Sequence, residues 1–509
     1  MRLSFERVEH WPPLAWLADC TPGAEHVVVR HGPRVECRPE WFCEAIWDGA
    51  FSEGDFDRSD RVFGSGGRVR AEGIVFVSSA TTVDRLCSAE VDGRTLVSNS
   101  LACLAATGSL AFAPTETASL AVWRSTAKGI GAHLATLPCE NGEIRITIHD
   151  NLLWDGRALA RLPKPDPKRD FSRYDDYRAF LTESMSALAA NLRAPERALA
   201  LDMISTASSG YDSSAVTLLA SEVGVRDVIT IERSRYGRDD SGMFVIEHLG
   251  LAPAVVERLP ERVRPFLDVP LVVGDGYGRD VFLAGAEEKL AGRVLFSGYH
   301  GDIVWGLGVE GEAFGRQISR DVGISGLSLT EYRLWIGFIH CPVPFLGARD
   351  VVQLHTLARS EAMAPWRLGV AYDRPIPRRL LEDAGVARDA FGVSKKVAGL
   401  LPSYRPDLDV LRERDPVATA DKQRWFADHA PAWWRRGKLP PLWVDAISAL
   451  FVSAVRVGWK VLGPIIDRSE ASRSHRLHTW IARLPPTRVS RHLFPWAMSH
   501  AVRRYDDDA

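Results

Sequence analysis

One short stretch combines the small and polar residues that a phosphate-binding loop requires. It runs from Ser205 to Val216, between an apolar run typical of a buried strand and a segment with helical periodicity. Small residues let backbone N–H groups close around an anion, and the start of a helix adds unpaired donors and the positive end of its dipole. The carboxylate of Asp212 could hold magnesium against the phosphates. No Walker A sequence follows, and the serines taken alone are also compatible with a turn that caps an ordinary helix.

A second loop with similar chemistry follows another strand-like run, Arg293 to Phe296. The residues from Ser297 to Gly306 include the carboxylate of Asp302 and the phenol of Tyr299. Ligands of parallel sheets bind beyond the carboxyl ends of the strands, so this loop is expected to face the first one. Two carboxylates on separate loops could each hold a magnesium ion against the charge of a leaving pyrophosphate.

These two loops resemble the signatures of the asparagine synthetase and β-lactam synthetase superfamily of ATP pyrophosphatases. Ser208 to Ser214 is similar to the Ser-Gly-Gly-x-Asp-Ser-Ser pyrophosphate loop, but Ser209 replaces the first glycine and its side chain is expected to narrow the loop. Ser297 to Asp302 is similar to the second signature, Ser-Gly-x-Gly-x-Asp. The resemblance implies that Asp212 and Asp302 bind Mg²⁺. It also implies that both loops bind ATP, through Ser208, Ser209, Gly210, Tyr211, Asp212, Ser213, Ser214, Ser297 and Gly298.

The resemblance also assigns candidate groups to an amide-forming step. Asparagine synthetases carry glutamate at the position of Tyr299, whereas the β-lactam and carbapenam synthetases carry tyrosine. In that branch the tyrosine acts with a downstream glutamate to deprotonate an amine of the substrate. Spacing makes Glu331 the candidate partner, although a surface carboxylate at a helix start has the same appearance. The segment from Tyr372 onward looks like the region that supplies the essential lysine, so Lys395 or Lys396 is expected to stabilise developing negative charge.

The N-terminal part is similar to the glutaminase-type module of the same family. Val91 to Leu101 looks like a stretch late in that module. Active glutaminases carry a cysteine directly after the initiator methionine, because its thiol is the nucleophile and its freed α-amine is the base. Position 2 of this chain is Arg2, so the resemblance implies a scaffold that has lost glutamine hydrolysis.

Elements of two different periodicities must position these residues. Asp92-Gly93 and Asn141-Gly142 between short β-rich runs predict antiparallel hairpins. The prolines and charges from Leu162 to Lys168 predict a linker. Beyond it, helical spacing over Tyr177–Leu192 alternates with strand-like runs, which predicts a parallel sheet wrapped by helices. The strand-like runs are 26–29, 73–77, 95–97, 143–148, 198–204, 227–231 and 293–296.

The predicted fold class is therefore α/β combined with α+β. Residues 1–165 are expected to form a glutaminase-like domain, which the resemblance makes an Ntn-hydrolase-like antiparallel β-sandwich with helices. Residues 170–400 are expected to form the ATP pyrophosphatase domain, a parallel-sheet PP-loop fold of the adenine nucleotide α-hydrolase-like type. Residues 401–509 are predicted to be a helical extension, whose tryptophans are more typical of packing than of a binding cage.

Composition and charge exclude several function classes. Hydrophobic residues make up 46% and charged residues 25% of the 509 residues, and the net charge of −2 argues against nucleic acid as a partner. Charged residues interrupt the longest apolar stretch, Leu442 to Ile466, so it predicts a core or amphipathic helix and no membrane span. Seven cysteines without CxxC spacing, together with an N-terminus that lacks an apolar signal region, predict a cytoplasmic protein. A homodimer is compatible with the sequence.

The sequence thus predicts an ATP-dependent ligase that adenylates a substrate carboxylate and couples it to an amine. ATP and Mg²⁺ are the expected cofactors, and a small-molecule or peptide carboxylate and an amine donor are the expected partners. Tyr299 favours an amine within the substrate and hence ring closure in a natural product or peptide, of which a lasso-peptide-type cyclase is a narrower version. An asparagine synthetase-type amidotransferase fed by ammonia or by a separate glutaminase is the alternative within this class. A non-catalytic scaffold is the alternative outside it.

Overall fold

Three β-sheets and the helices packed on them form the described part of the chain. The computed structural model describes residues 1–114, 118–231, 240–256, 264–308, 316–320, 325–370, 372–392, 415–429 and 490–506. The N-terminal sheets are antiparallel in nearly all their pairs, and the C-terminal sheet is parallel. This mixed α/β architecture confirms the two kinds of sheet that the sequence predicts.

The N-terminal strands form a seven-stranded sheet and a six-stranded sheet. The strands are β1 (Arg2–Arg7), β2 (Trp16–Cys20), β3 (His26–His31), β4 (Glu36–Arg38), β5 (Trp41–Trp47), β6 (Val62–Arg70), β7 (Gly73–Val77), β8 (Arg85–Val91), β9 (Arg94–Ser98), β10 (Thr136–Cys139), β11 (Gly142–Ile148), β12 (Asn151–Trp154) and β13 (Leu159–Leu162). The orders are β1-β3-β2-β9-β8-β11-β10 and β13-β12-β7-β6-β5-β4. The pair β1–β3 is parallel, an exception to the expected antiparallel pattern, and the other neighbours are antiparallel.

Both predicted hairpins are confirmed. Asp92 and Gly93 join β8 to β9, and both have positive φ angles (50° and 76°), as a tight hairpin turn requires. At the second hairpin Cys139 lies opposite Gly142, so the turn comprises Glu140 and Asn141 and lies one residue earlier than the predicted Asn141-Gly142 turn. The two sheets pack face to face through Trp16, whose ring lies 5.0 Å from that of Phe42 in the other sheet.

The C-terminal sheet has the order β16-β15-β14-β17-β18, and every neighbouring pair is parallel. Its strands are β14 (Asp202–Ala207), β15 (Asp227–Ile231), β16 (Ala252–Val256), β17 (Arg293–Ser297) and β18 (Ile339–Pro342). The strand predicted at 198–204 begins later, at Asp202, because Ala198 to Leu201 are not paired into the sheet. The carboxyl ends of β14 and β17 lie side by side, so the loops that follow them share one edge of the sheet.

Helices pack on the N-terminal sheets and on the C-terminal sheet. They are α1 (Leu101–Thr107), α2 (Ala118–Ser125), α3 (Tyr174–Leu192), α4 (Tyr211–Glu222), α5 (Met243–His248), α6 (Asp268–Asp275), α7 (Glu287–Leu290), α8 (Gly301–Val304), α9 (Leu329–Ile336), α10 (Val351–Arg359) and α11 (Pro375–Asp383). Of these, α1 and α2 pack on the first N-terminal sheet. The helix predicted over Tyr177–Leu192 is confirmed within α3. Tyr177, Leu181 and Leu188 are buried in its core-facing stripe, as the helical spacing requires.

The predicted linker is irregular but not free in solvent. Residues 163–170 form neither helix nor strand. Lys164 is only 3% exposed, and its ammonium group donates a 2.5 Å hydrogen bond to Asn151 Oδ1 on β12. Burial lowers the pKa of Lys164 to about 7, because the charged form loses its hydration. The segment is therefore packed against the second N-terminal sheet.

The described parts of residues 401–509 are helical and dock on the rest of the molecule. They comprise helices over Pro416–His429 and Ser490–Ala501, followed by a short 3₁₀ helix, Val502–Tyr505. Tyr505 Oη lies 2.9 Å from the hydroxyl of Ser100, at the start of α1. The predicted helix from Leu442 to Ile466 lies outside the described residues. Among the described helices, none has the length and apolar character needed to cross a bilayer.

Candidate active site

The first loop, Ser208–Ser214, is closed by its own serines. It connects β14 to α4. The hydroxyls of Ser208 and Ser213 are 2.7 Å apart, and the N–H of Ser208 donates to Ser213 Oγ at 3.1 Å. Ser214 Oγ donates to the carbonyl of Ser208 at 2.7 Å. These bonds fix the turn, while Gly210, directly before α4, has no side chain to cap the first helical turn. The N–H groups of Ser208, Ser209 and Gly210 are already bonded within the protein, so an anion at this loop would bind at the first turn of α4.

Ser209 ties the first loop to the segment that precedes α5. Its hydroxyl donates to Asp240 Oδ1 at 2.7 Å, and its N–H donates to the Asp240 carbonyl at 3.2 Å. On the other side, the carbonyl of Ser209 accepts a 2.9 Å bond from the N–H of Gly392. The side chain that replaces the expected glycine is thus directed to Asp240 and stabilises a neighbouring segment.

The second loop, Ser297–Asp302, lies against the first. A Cβ on Gly298 would lie 2.6 Å from the backbone nitrogen of Ser213, and a Cβ on Gly301 would lie 2.6 Å from Asp212 Cγ. Both distances are shorter than any ordinary contact, so only glycine fits at either position without a shift. The structure therefore brings together the two loops that the sequence singled out.

His300 adopts a left-handed backbone conformation inside the second loop. Its φ of 74° is unusual for a residue with a side chain, and it occurs where the Ser-Gly-x-Gly-x-Asp pattern has its second glycine. The buried imidazole stacks on Phe345 with ring centroids 4.5 Å apart. Burial lowers the pKa of His300 to about 3, so the ring is neutral at physiological pH. Left-handed backbone disfavours any residue with a side chain, and the stacking contact with Phe345 helps to stabilise His300 in that conformation.

The two carboxylates of the predicted metal site differ in exposure. Asp212 is partly buried, and Arg374 Nε lies 3.8 Å from its Oδ1. Asp302, on α8, is exposed. No group of three or more potential metal ligands of the His, Cys, Asp or Glu type occurs among the described residues. A metal ion at Asp212 and Asp302 would need further oxygen ligands from a bound molecule, which suits magnesium held by phosphates.

Tyr299 is paired with Asp280, which the sequence analysis did not single out. The phenol donates to Asp280 Oδ1 at 2.6 Å, and Asp280 Oδ2 accepts bonds from Ser328 Oγ and from the N–H of Gly326, the latter at 3.0 Å. Burial raises the pKa of Tyr299 well above its ordinary value, and it also raises the pKa of Asp280. The hydrogen-bonded pair therefore lies in a largely desolvated place beside the second loop.

The predicted pairing of Tyr299 with Glu331 is wrong, because Glu331 lies elsewhere in the fold. Its buried carboxylate accepts bonds from the hydroxyl of Ser100 (2.8 Å) and from the N–H of Leu101 (2.5 Å). It thus caps the start of α1 and links α9 to the N-terminal part. Because Glu331 is fully buried and binds the start of a helix other than its own, it is not the surface carboxylate that the alternative interpretation describes.

Three further predicted site residues are Tyr211, Lys395 and Lys396, of which the structure describes Tyr211. Tyr211 is fully buried, and its hydroxyl accepts a 2.5 Å bond from Arg378, so its side chain anchors the first loop to α11. Lys395 and Lys396 lie outside the described residues. The last described residue before them, Gly392, makes the bond to Ser209 noted above. The described chain therefore reaches the first loop three residues before Lys395.

Asp280 and Arg374 are the site residues to which the sequence analysis assigned no role. Asp280 belongs to no motif, and nothing in its spacing indicated a contact with Tyr299. Arg374 stood within the quoted segment after Tyr372, but its proximity to Asp212 depends on how that segment folds over the first loop.

No protein-family model matches the chain, and no curated protein matches it in sequence.

Proposed function

We propose that the protein is an ATP-dependent C–N ligase, which converts a substrate carboxylate into an acyl-adenylate and transfers the acyl group to an amine. The observation that carries the proposal is the contact between the two loops. The spaces beside Gly298 and Gly301 are filled by Ser213 and Asp212, so two signature-like loops from separate strands meet at one sheet edge. In this proposal the C-terminal sheet is a PP-loop fold and the N-terminal sandwich is Ntn-hydrolase-like.

The first loop is suited to the phosphates of ATP. The first turn of α4, whose N-cap residue Gly210 has no side chain to cap it, would supply donors for them. Asp212 and Asp302 are the residues that would hold magnesium, which, when bound, would neutralise charge on the departing pyrophosphate. Arg374, close to Asp212, adds a fixed positive charge on the same side. Attack of the substrate carboxylate on the α-phosphorus then breaks the bond to pyrophosphate and leaves the acyl-adenylate.

Tyr299 and Asp280 are suited to the amine step. An ammonium substrate must lose a proton before its nitrogen can attack the acyl-adenylate. Tyr299 would take that proton while passing its own proton to Asp280 across the 2.6 Å bond. The raised pKa of Asp280 makes its carboxylate a stronger base than usual, and because Tyr299 would gain one proton as it gives up another, no buried phenolate has to form. Attack of the free amine on the acyl carbon forms the amide and expels AMP.

Tyrosine at this position supports an amine carried by the substrate, and hence an intramolecular ring closure in a natural product or a peptide. The asparagine synthetase-type alternative requires free ammonia instead. Supplying ammonium salts in place of the amine substrate separates the two, because only the amidotransferase would form a primary amide.

Magnesium-dependent exchange of pyrophosphate into ATP tests the adenylation step. Pools of amino acids, amino-acid-derived diacids, sugar acids and short peptides are screened with the wild type, Asp212→Ala and Asp302→Ala. We expect exchange that depends on one carboxylate class and falls at least about 100-fold in both variants, as for removal of a group that stabilises transferred charge. Absence of exchange with every pool, together with no ATP binding by calorimetry, would replace the proposal with a non-catalytic scaffold.

A further inference from the structure

A buried serine–histidine pair lies at the start of the second loop. Ser297 Oγ and His340 Nε2 are 2.7 Å apart, and both side chains are almost fully buried. His340 lies on β18, beside β17, which carries Ser297 at its end. The imidazole also meets the ring of Tyr299 edge-on, with centroids 5.3 Å apart. One side chain therefore contacts two residues of the second loop.

The other ring nitrogen of His340, Nδ1, is buried and makes no hydrogen bond within the described residues. Burial lowers the pKa of His340 to about 4, so the ring is neutral at physiological pH. A neutral imidazole has one donor and one acceptor nitrogen, and a serine hydroxyl can pair with either. The contact with Ser297 is accordingly the polar interaction that orients this ring.

Residues of the N-terminal part build the surroundings of His340. Strand β18 packs against β5 and β6 of the second N-terminal sheet. The negative charge of Asp84 raises the pKa of His340, whereas the positive charge of Arg333 lowers it further. Arg333 Nε donates to Asp84 Oδ1 at 2.9 Å, and its terminal nitrogen donates to Glu44 Oε2 at 2.6 Å. A buried polar cluster of both parts of the chain therefore backs the histidine.

We infer that His340 is a positioning residue for the second loop, which holds Ser297 and Tyr299 in place while the N-terminal part supports the histidine from behind. The catalytic consequence of this inference rests on the proposed function, but the positioning itself does not. The N-terminal part then contributes to the geometry of the site without supplying a reacting group.

Three variants separate positioning from simple loss of packing. His340→Phe keeps a ring but removes the hydrogen bond, whereas the amide of His340→Gln can donate to or accept from Ser297. Ile339→Ala is the matched control, since Ile339 is buried on the opposite face of the same strand and does not contact Ser297. Hydrogen–deuterium exchange of peptides that cover residues 297–305 is measured alongside the urea midpoint of each variant. Calorimetry with magnesium and α,β-methylene-ATP, which cannot lose pyrophosphate, supplies the second readout.

We expect His340→Phe to speed amide exchange in residues 297–305 about tenfold more than elsewhere and to weaken nucleotide binding about tenfold. His340→Gln should stay within about threefold of the wild type in both readouts. Ile339→Ala should lower the urea midpoint without a selective change at the second loop. Unchanged local exchange in His340→Phe, or an equal local change in Ile339→Ala, would overturn the inference. If local exchange responds as expected but the wild type binds no nucleotide, the positioning stands and the proposed function fails.

Discussion

Replacing Gly301 with alanine is expected to displace the carboxylate of Asp212. The new Cβ would lie 2.6 Å from Cγ, 2.7 Å from Cβ and 2.8 Å from Oδ1 of Asp212. Carbon atoms in contact are normally about 3.5–4.0 Å apart, so the carboxylate must retreat by roughly 1 Å. Gly301 lies in α8 with an ordinary helical backbone, which alanine tolerates, so the perturbation is steric rather than conformational.

A shift of this size should impair the proposed chemistry far more than folding. A displacement of about 1 Å at a reacting group can lower a rate roughly 100-fold, which corresponds to about 2.7 kcal/mol of activation free energy. The strain of one extra methyl group costs about 1–3 kcal/mol of folding stability, part of which better helix propensity offsets. We therefore expect Gly301→Ala to lose about two orders of magnitude in pyrophosphate exchange while remaining folded.

The assay pairs Gly301→Ala with Gly142→Ala, whose Cβ would make an ordinary contact, 3.5 Å from Leu110. Exchange rates with the carboxylate identified by screening are compared at saturating magnesium, and thermal midpoints are recorded for both. An Asp212→Gly background removes Cβ, Cγ and Oδ1 together, so adding Gly301→Ala there should lower the thermal midpoint less than it does in the wild type. Equal exchange rates in Gly301→Ala and Gly142→Ala would refute the reasoning that Gly301 is needed to seat Asp212.

Three further substitutions probe other parts of the structure. Arg333→Met should lower the free energy of unfolding by about 3–5 kcal/mol, because it leaves the buried carboxylates of Glu44 and Asp84 without their cation. Burial raises the pKa of Glu44, so the loss, measured by urea titration, should shrink as the pH falls and Glu44 becomes protonated, and a pH-independent loss would contradict this. Lys164 binds a proton more weakly in the folded than in the unfolded chain, so its contribution to the free energy of unfolding should rise by about 2 kcal/mol between pH 7 and pH 9. This rise should be absent in Lys164→Met. The same dependence of stability on pH in the wild type and in Lys164→Met would contradict the prediction. Ser209→Gly should lower the free energy of unfolding by about 1 kcal/mol, because it removes the hydrogen bond to Asp240. The affinity for ATP should stay within twofold of the wild type. A tenfold change in that affinity, measured by calorimetry, would show that the hydroxyl reaches the nucleotide.

Features that depend on neighbouring residues in sequence could be predicted well. The hairpin turn at Asp92-Gly93 and the helix through Tyr177 and Leu188 follow from local backbone preferences and spacing. The approach of the two loops also followed from a general rule, since both come directly after neighbouring parallel strands.

Features that depend on distant packing could not be predicted. Asp280 reaches Tyr299 only because residues 275–283 fold over the end of β17, and no motif marks that contact. Glu331 had suitable spacing, but α9 directs its carboxylate to the start of α1. Lys164 stood in a run of prolines and charges that is typical of an exposed linker, and its burial depends on the facing strand β12. In each case the residue that forms the contact lies more than ten positions away in sequence, where local periodicity cannot indicate it.

The docking of residues 490–505 has a consequence for how the protein is made. Phe494 and Trp496 pack into the same apolar cluster as Trp11, Trp123 and residues of α6. A ribosome delivers the N-terminal strands and α6 long before it delivers this segment, so the nascent chain must keep that apolar surface uncovered for most of translation. Fragments that stop before residue 490 are therefore expected to aggregate more than the full chain, which size-exclusion chromatography would show.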